Sequence, residues 1–119
     1  MTRKFLTLAA GALMLGVSSM SALAAGKTIA VSWKTFQEER WKTDEAAIKA
    51  VVEAAGNKYI STDAQGSAAK QLTDIEGLVS QKVDVILVVA FDSDAILPAF
   101  QTAADAGVKM ISYDVLVEH

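Results

Sequence analysis

Acids, a lysine, an arginine and aromatic rings recur where the short apolar runs of this sequence give out. Trp33, Lys34, Phe36 and Arg40 follow the run 28–32, and Asp63 and Gln65 follow 58–62. Phe91, Asp92, Ser93 and Asp94 follow 83–90, and Tyr113 and Asp114 close the run that begins at 108. Carboxylates accept hydrogen bonds from hydroxyl groups, and a guanidinium donates to two oxygens at fixed geometry. Aromatic faces cover the C–H side of a sugar ring. Together these groups suit a neutral, polyhydroxylated ligand held in a pre-formed cleft.

The same residues are poorly suited to bond-breaking chemistry. Cys is absent, so disulfides, cysteine-ligated zinc, iron–sulfur clusters and a thiol nucleophile are excluded, and the only His is His119. No G-x-S-x-G elbow occurs, and neither of the adjacent acids Glu38 and Glu39 has a neighbour that would make it a general acid. The chain reads as a non-enzyme, with a secreted α/β enzyme as the weaker alternative. With 11 basic and 14 acidic residues the formal charge is −3, so no basic excess exists to hold a nucleic-acid backbone. Of the 119 residues, 52% are hydrophobic and 21% charged, which excludes a disordered tail.

The elements that must position these groups alternate. Residues 1–24 stand apart. Arg3 and Lys4 precede an apolar run over 5–17, too short to span a bilayer comfortably, and Ala22-Leu23-Ala24 offers a small-x-small cleavage site. This is the pattern of a secretory signal peptide cut after Ala24, which places residues 25–119 outside the cytoplasm, most simply in a periplasm. From 28 onward, short β-branched runs predict strands over 28–32, 58–62, 83–90 and 108–113. Between them, helical spacing predicts a helix from about Phe36 to Ala55, with Trp41, Ala47 or Ile48, Val51 or Val52, and Ala55 on one face. Thr35 and Glu38 have the spacing of a capping box for it. Ala68, Leu72, Ile75, Leu78 and Val79 predict a second helix, and a third is expected to be capped by Ser93 or Asp94. The β-α-β-α-β-α-β order predicts a parallel sheet with helices on both faces. The turn after the first strand, Ser32 to Phe36, is too bulky to cradle a pyrophosphate. No cofactor is therefore expected.

In such a sheet, ligands lie beyond the carboxyl ends of the strands, which is where the polar and aromatic groups fall. Each has a plainer reading. Asp92 or Asp94 serves equally well as a cap, Asp63 as a turn residue and Trp41 as core. Arg40 is the most informative, because a cation near a helix N-terminus opposes the helix dipole and needs compensation. A surface pair with Glu39 or Asp44 would supply it, and so would a ligand.

Glu39-Arg40-Trp41, the stretch Gln71 to Glu76, Val83-Asp84-Val85-Ile86 and Ile111-Ser112-Tyr113-Asp114 together resemble the periplasmic sugar-binding proteins of ABC importers. The likeness is to the ribose/xylose-binding group, and most to D-xylose-binding proteins. The resemblance implies a Rossmann-like three-layer sandwich, the N-terminal lobe of a type I periplasmic binding protein. It implies a monomer that binds a monosaccharide, closes over it and presents it to a membrane permease. A sensing protein that presents the sugar to a receptor would share the same fold. By resemblance Arg40, Asp92 and Asp114 match sugar-contacting positions, and Trp33, Lys34 and Phe36 lie in the first contact loop. Val115 stands where relatives carry Arg, Ala90 where they often carry Pro, and Lys34 where xylose binders tend to be acidic. These departures point to a sugar or sugar-like polyol rather than to xylose itself. Members of the family carry two such lobes, so residues 25–119 match an incomplete first lobe of a truncated chain.

Overall fold

The computed structural model describes residues 26–117. The expected signal peptide and His119 lie outside the described residues. Four strands, β1 (Thr28–Trp33), β2 (Lys58–Asp63), β3 (Val85–Val88) and β4 (Lys109–Ser112), alternate with three helices. The helices are α1 (Glu39–Ala54), α2 (Ala68–Ser80) and α3 (Leu97–Asp105). All strand pairs are parallel, and the order across the sheet is β2-β1-β3-β4. β1 and β3 occupy the centre, as expected for their apolar runs.

Alternation along the strands sends side chains to two separate cores. On one face Ala30, Ile86 and Val88 pack with Ile75 and Leu78 of α2 and with Ala99 and Ala103 of α3. On the other, Val31, Trp33 and Val89 pack with Trp41 of α1. The α/β sandwich with helices on both faces is therefore present. Among the described residues, α1 is the helix that covers the second face. Of the alternatives on the expected face of α1, Ile48 packs on this cluster and Val52 is half-buried, whereas Ala47 is exposed and Val51 is 71% exposed; Trp41 is the one fully buried residue of α1. Ala55, expected on the same face, is exposed.

Two helix starts differ from expectation. α1 begins at Glu39, and its N-cap residue Glu38 makes no side-chain cap. The Thr35 hydroxyl instead accepts from Gln37 N at 3.1 Å. The rings of Phe36 and Trp33 lie 5.5 Å apart, so Phe36 is held against the sheet where a first helical turn would have carried it away. α3 begins at Leu97, with Pro98 in its first turn. Asp92, not Ser93 or Asp94, organises the turn before it, its Oδ1 accepting from Asp94 N at 3.0 Å and Ala95 N at 2.9 Å. α2 follows the simplest rule, its N-cap Ser67 accepting from Lys70 N.

Candidate functional site

The register sets the strand tips in a row. Trp33 pairs with Asp63, and Ser32 with Val88, which in turn pairs with Ser112. Loops leaving these tips carry most of the residues singled out above. They are tied to one another. Ala64 N donates to Trp33 O and Gly66 N to Lys34 O, both at 2.8 Å, joining the β1 and β2 loops. Ser93 Oγ donates to Leu116 O at 3.2 Å, joining the loop after β3 to the segment after β4.

Arg40 and Asp114 are 74 positions apart in sequence, yet their side chains are hydrogen-bonded to each other. Arg40 Nε also lies 3.7 Å from Asp44 Oδ2, and its guanidinium carbon sits 4.4 Å from the centre of the Trp41 ring. Two carboxylates and a ring face thus compensate a cation that the α1 dipole disfavours. The Asp114 hydrogen bond holds the Arg40 proton more tightly than usual. Tyr113 donates to Asp44 Oδ2 at 3.1 Å, and burial followed by that bond pushes its hydroxyl pKa up. Arg40 and Asp114 keep 53% and 32% of their side-chain surface exposed. The pair is therefore accessible from solvent.

Asp114 adopts φ +64°, and Val115 N donates back to Tyr113 O at 2.7 Å, a tight three-residue turn. Such left-handed backbone costs a non-glycine residue about 1–3 kcal/mol and persists where surroundings enforce it. Gln65, after β2, has φ +54°.

The other expected contacts divide. Asp63 Oδ1 accepts from Gln65 N, the turn role foreseen for it. It also lines, with Thr35, Phe36, Gln37 and Gln65, an opening of about 330 Å³ at the tips of β1 and β2. Phe36 is half-buried there. Lys34 Nζ lies 5.0 Å over the Trp41 ring, on which Arg40 also rests. Asp92 is exposed while its Oδ1 holds the turn. Trp33 departs from expectation. It is 0% exposed, packs against Trp41 and Tyr113, and donates from Nε1 to the Tyr59 hydroxyl at 3.4 Å. Its large apolar ring ends a central strand, where burial is favoured, so it forms the floor beneath the rim and offers no surface to a ligand. Larger openings of about 460 and 440 Å³ lie elsewhere, beside α3 and β4 and at the opposite end of the sheet.

Three residues named in the sequence but not counted among the expected contacts belong to this end of the sheet. Asp44 lies one turn after Arg40, the spacing of a helical ion pair, and was weighed only as an alternative. Phe91 keeps 51% of its surface exposed at the tip of β3. Gln71 is 1% exposed beneath that same tip, and its signal was a polar side chain in register with Ile75 and Leu78.

The sequence matches the family described as periplasmic binding protein domain over residues 29–119. It is 26% identical over 105 residues to the D-xylose-binding periplasmic protein of Haemophilus influenzae, covering 88% of this chain and 32% of that protein. It is 33% identical to the ribose import binding protein RbsB of Bacillus subtilis, covering 73% of this chain and 28% of that one. The fold superposes on a periplasmic solute-binding protein of an ABC transporter from Actinobacillus succinogenes with bound D-allose. The TM-score is 0.74 at 28% identity, covering 78% of this chain and 33% of that one. The chain spans about a third of the length of these relatives.

Proposed function

This chain belongs to the periplasmic binding protein domain family, and from that premise we propose that it forms the N-terminal lobe of a monosaccharide-binding protein. In this reading residues 1–24 are removed on export, and residues 25–119 fold as the lobe. The whole protein works as a monomer that delivers its sugar to the membrane permease of an ABC transporter. The ligand is a xylose-like pentose or a related sugar.

The observation that carries the reading is the joining of Arg40 to Asp114 across the strand tips, above the buried Trp33 and Trp41. Arginine has five N–H donors, and Asp114 and Asp44 do not use them all. The remaining donors serve sugar oxygens, while Asp114 and Asp92 accept from sugar hydroxyls. Phe36 and Phe91, unlike Trp33, have ring surface available to cover C–H groups. Lys34 and Asp63 border the same rim. Charge-assisted bonds of this kind are short and directional, so they fix the orientation of a polyol without altering it. The relatives' names carry xylose and ribose, and the solved structure holds D-allose, in keeping with a rim that recognises hydroxyl pattern.

A ligand on this rim is gripped from one side only, so most of its own surface stays in water. Immobilisation then consumes most of the contact energy, and the expected affinity of the chain alone is about millimolar or weaker. The test is a titration of the labelled chain with D-xylose, D-ribose, D-allose and myo-inositol, followed by amide chemical shifts. Shifts from at least one sugar are expected to concentrate in residues 33–40, 63–66, 91–95 and 113–115, and to vanish in Arg40→Met and Asp114→Asn. Indifference of the rim to every sugar up to its solubility, or conversion of any of them to product, overturns the proposal.

A further inference from the structure

We propose that Gln71 is a positioning residue for the sugar rim, acting as a one-residue substitute for a neighbouring strand where β3 ends. Its side-chain Nε2 donates to Val89 O at 2.9 Å, to Ser32 Oγ at 3.2 Å and to Ser32 O at 3.4 Å. Its Oε1 accepts from Phe91 N at 2.9 Å. The last backbone bond between β1 and β3 runs from Val89 N to Ser32 O at 3.0 Å. Beyond it the chain must leave the sheet, and the carbonyl of Val89 and the amide of Phe91 need partners. A parallel strand would satisfy both by bonding to alternate residues on either side of Ala90. The Gln71 amide does the same from α2, with one donor group and one acceptor group facing the right way.

Three features make this more than core packing. Gln71, Ser32 and Val89 are all essentially without exposure, so the bonds to Ser32 and Val89 lie where an unmade one costs the full desolvation of the group, while the bond from Phe91 N is partly buried. The amide has one workable orientation, since a flipped group would set oxygen against the two carbonyls and N–H against Phe91 N–H. The bonds terminate at Phe91, and Asp92 follows immediately, with Oδ1 closing the turn to Asp94 and Ala95. Gln71 therefore decides where the exposed ring of Phe91 and the carboxylate of Asp92 stand, without reaching the ligand itself.

The inference rests on the sugar-binding reading only for its affinity arm. In the unaltered protein, the Gln71 side-chain amide protons are expected to exchange with solvent far more slowly than those of the exposed Gln65 and Gln101. Equal rates overturn the proposal without any variant. In Gln71→Met, which keeps length and removes both polar groups, the Phe91 amide is expected to exchange about tenfold faster, the loss anticipated for one partly buried hydrogen bond. Ile75→Val, a mild core change on the same helix face, is the control. Sugar affinity is expected to fall about tenfold in Gln71→Met and to stay within about twofold in Ile75→Val. Equal loss in both, or an unchanged Phe91 amide, reduces Gln71 to core packing. If the unaltered protein binds no sugar, the function proposal fails while the exchange arm still decides the role of Gln71.

Discussion

Asp92 offers the sharpest separation of structure from recognition, because its two roles respond differently to two substitutions. Its Oδ1 accepts from Asp94 N and Ala95 N, and the same carboxylate stands exposed at the β3 tip. Asparagine caps as well as aspartate, because its carbonyl oxygen presents the same lone pairs. Asp92→Asn should therefore leave stability within about 0.5 kcal/mol of the parent. Asp92→Ala strands both amides and should cost about 0.5–2 kcal/mol. For a domain of about 100 residues, each kcal/mol lowers Tm by about 4–8 °C. Sugar binding should follow charge instead. A hydrogen bond to a charged acceptor contributes about 1.5–3 kcal/mol, so both variants should weaken binding by about tenfold to 150-fold. Thermal melts and sugar titrations on the three proteins read the two axes independently. If Asp92→Asn binds as the parent does, Asp92 only holds the turn, and its assignment to the rim is wrong.

Asp114→Gly and Asp114→Ala both remove the carboxylate, but only glycine relieves φ +64°; denaturant titration should find the glycine variant more stable than the alanine one by about 0.5–1 kcal/mol. Trp33→Ala, at a fully buried position, should cost about 3–5 kcal/mol, and a loss below about 2 kcal/mol in urea midpoints would show that the ring is not the floor of the rim. Tyr59 donates to Glu45 Oε1 at 2.9 Å, and burial, the largest cause, pushes its pKa from 10 to about 12. The folded chain then holds a proton that the unfolded chain releases, so this contribution is intact below pH 10 and is lost as pH rises toward 12, a fall that Tyr59→Phe should remove from pH-dependent denaturation.

The strands and the alternation of elements were legible because periodicity encodes burial directly. The apolar run from Val83 to Ala90 suited a strand covered on both faces, and β3, though shorter at Val85–Val88, lies second from the β4 edge with helix residues packed on both of its faces. The helix starts were less legible, because two signals competed. Thr35 and Glu38 matched a capping pattern, but the affinity of Phe36 for the Trp33 ring outweighed it. Spacing narrowed the inward face of α1 to Ala47 or Ile48 and Val51 or Val52, and only packing on the sheet decides within each pair, half-burying Ile48 and Val52 and leaving Ala47 and Val51 exposed. Among site residues, the cost of placing Arg40 at a helix N-terminus correctly marked a compensating partner. The sequence did not show that Asp44 and Asp114 would supply it together, because proximity across 74 positions depends on strand order. Trp33 was misplaced for a related reason. A tip residue faces either the ligand or the layer below, and only the register fixes which.

Three of the local choices that run against stability bear on the proposed rim. A cation sits in the first turn of α1, a non-glycine residue adopts left-handed backbone after β4, and a polar amide occupies the buried face of α2. Each is compensated, but by groups from a different element. Asp114 and the Trp41 ring answer Arg40, the Tyr113–Val115 turn and Arg40 hold Asp114, and the backbones of β1 and β3 answer Gln71. All three lie at the carboxyl ends of the strands. A lobe selected only to fold would put an acid in place of Arg40, glycine in place of Asp114 and an aliphatic side chain in place of Gln71. The last of these would need another partner for the β3 tip. Local rules broken together at this end of the sheet are what the proposed binding rim requires, although Lys82 at the other end also adopts left-handed backbone (φ +59°). The polar groups must stand in fixed positions before the ligand arrives, because ordering them afterwards would consume the small energy that hydroxyl contacts supply.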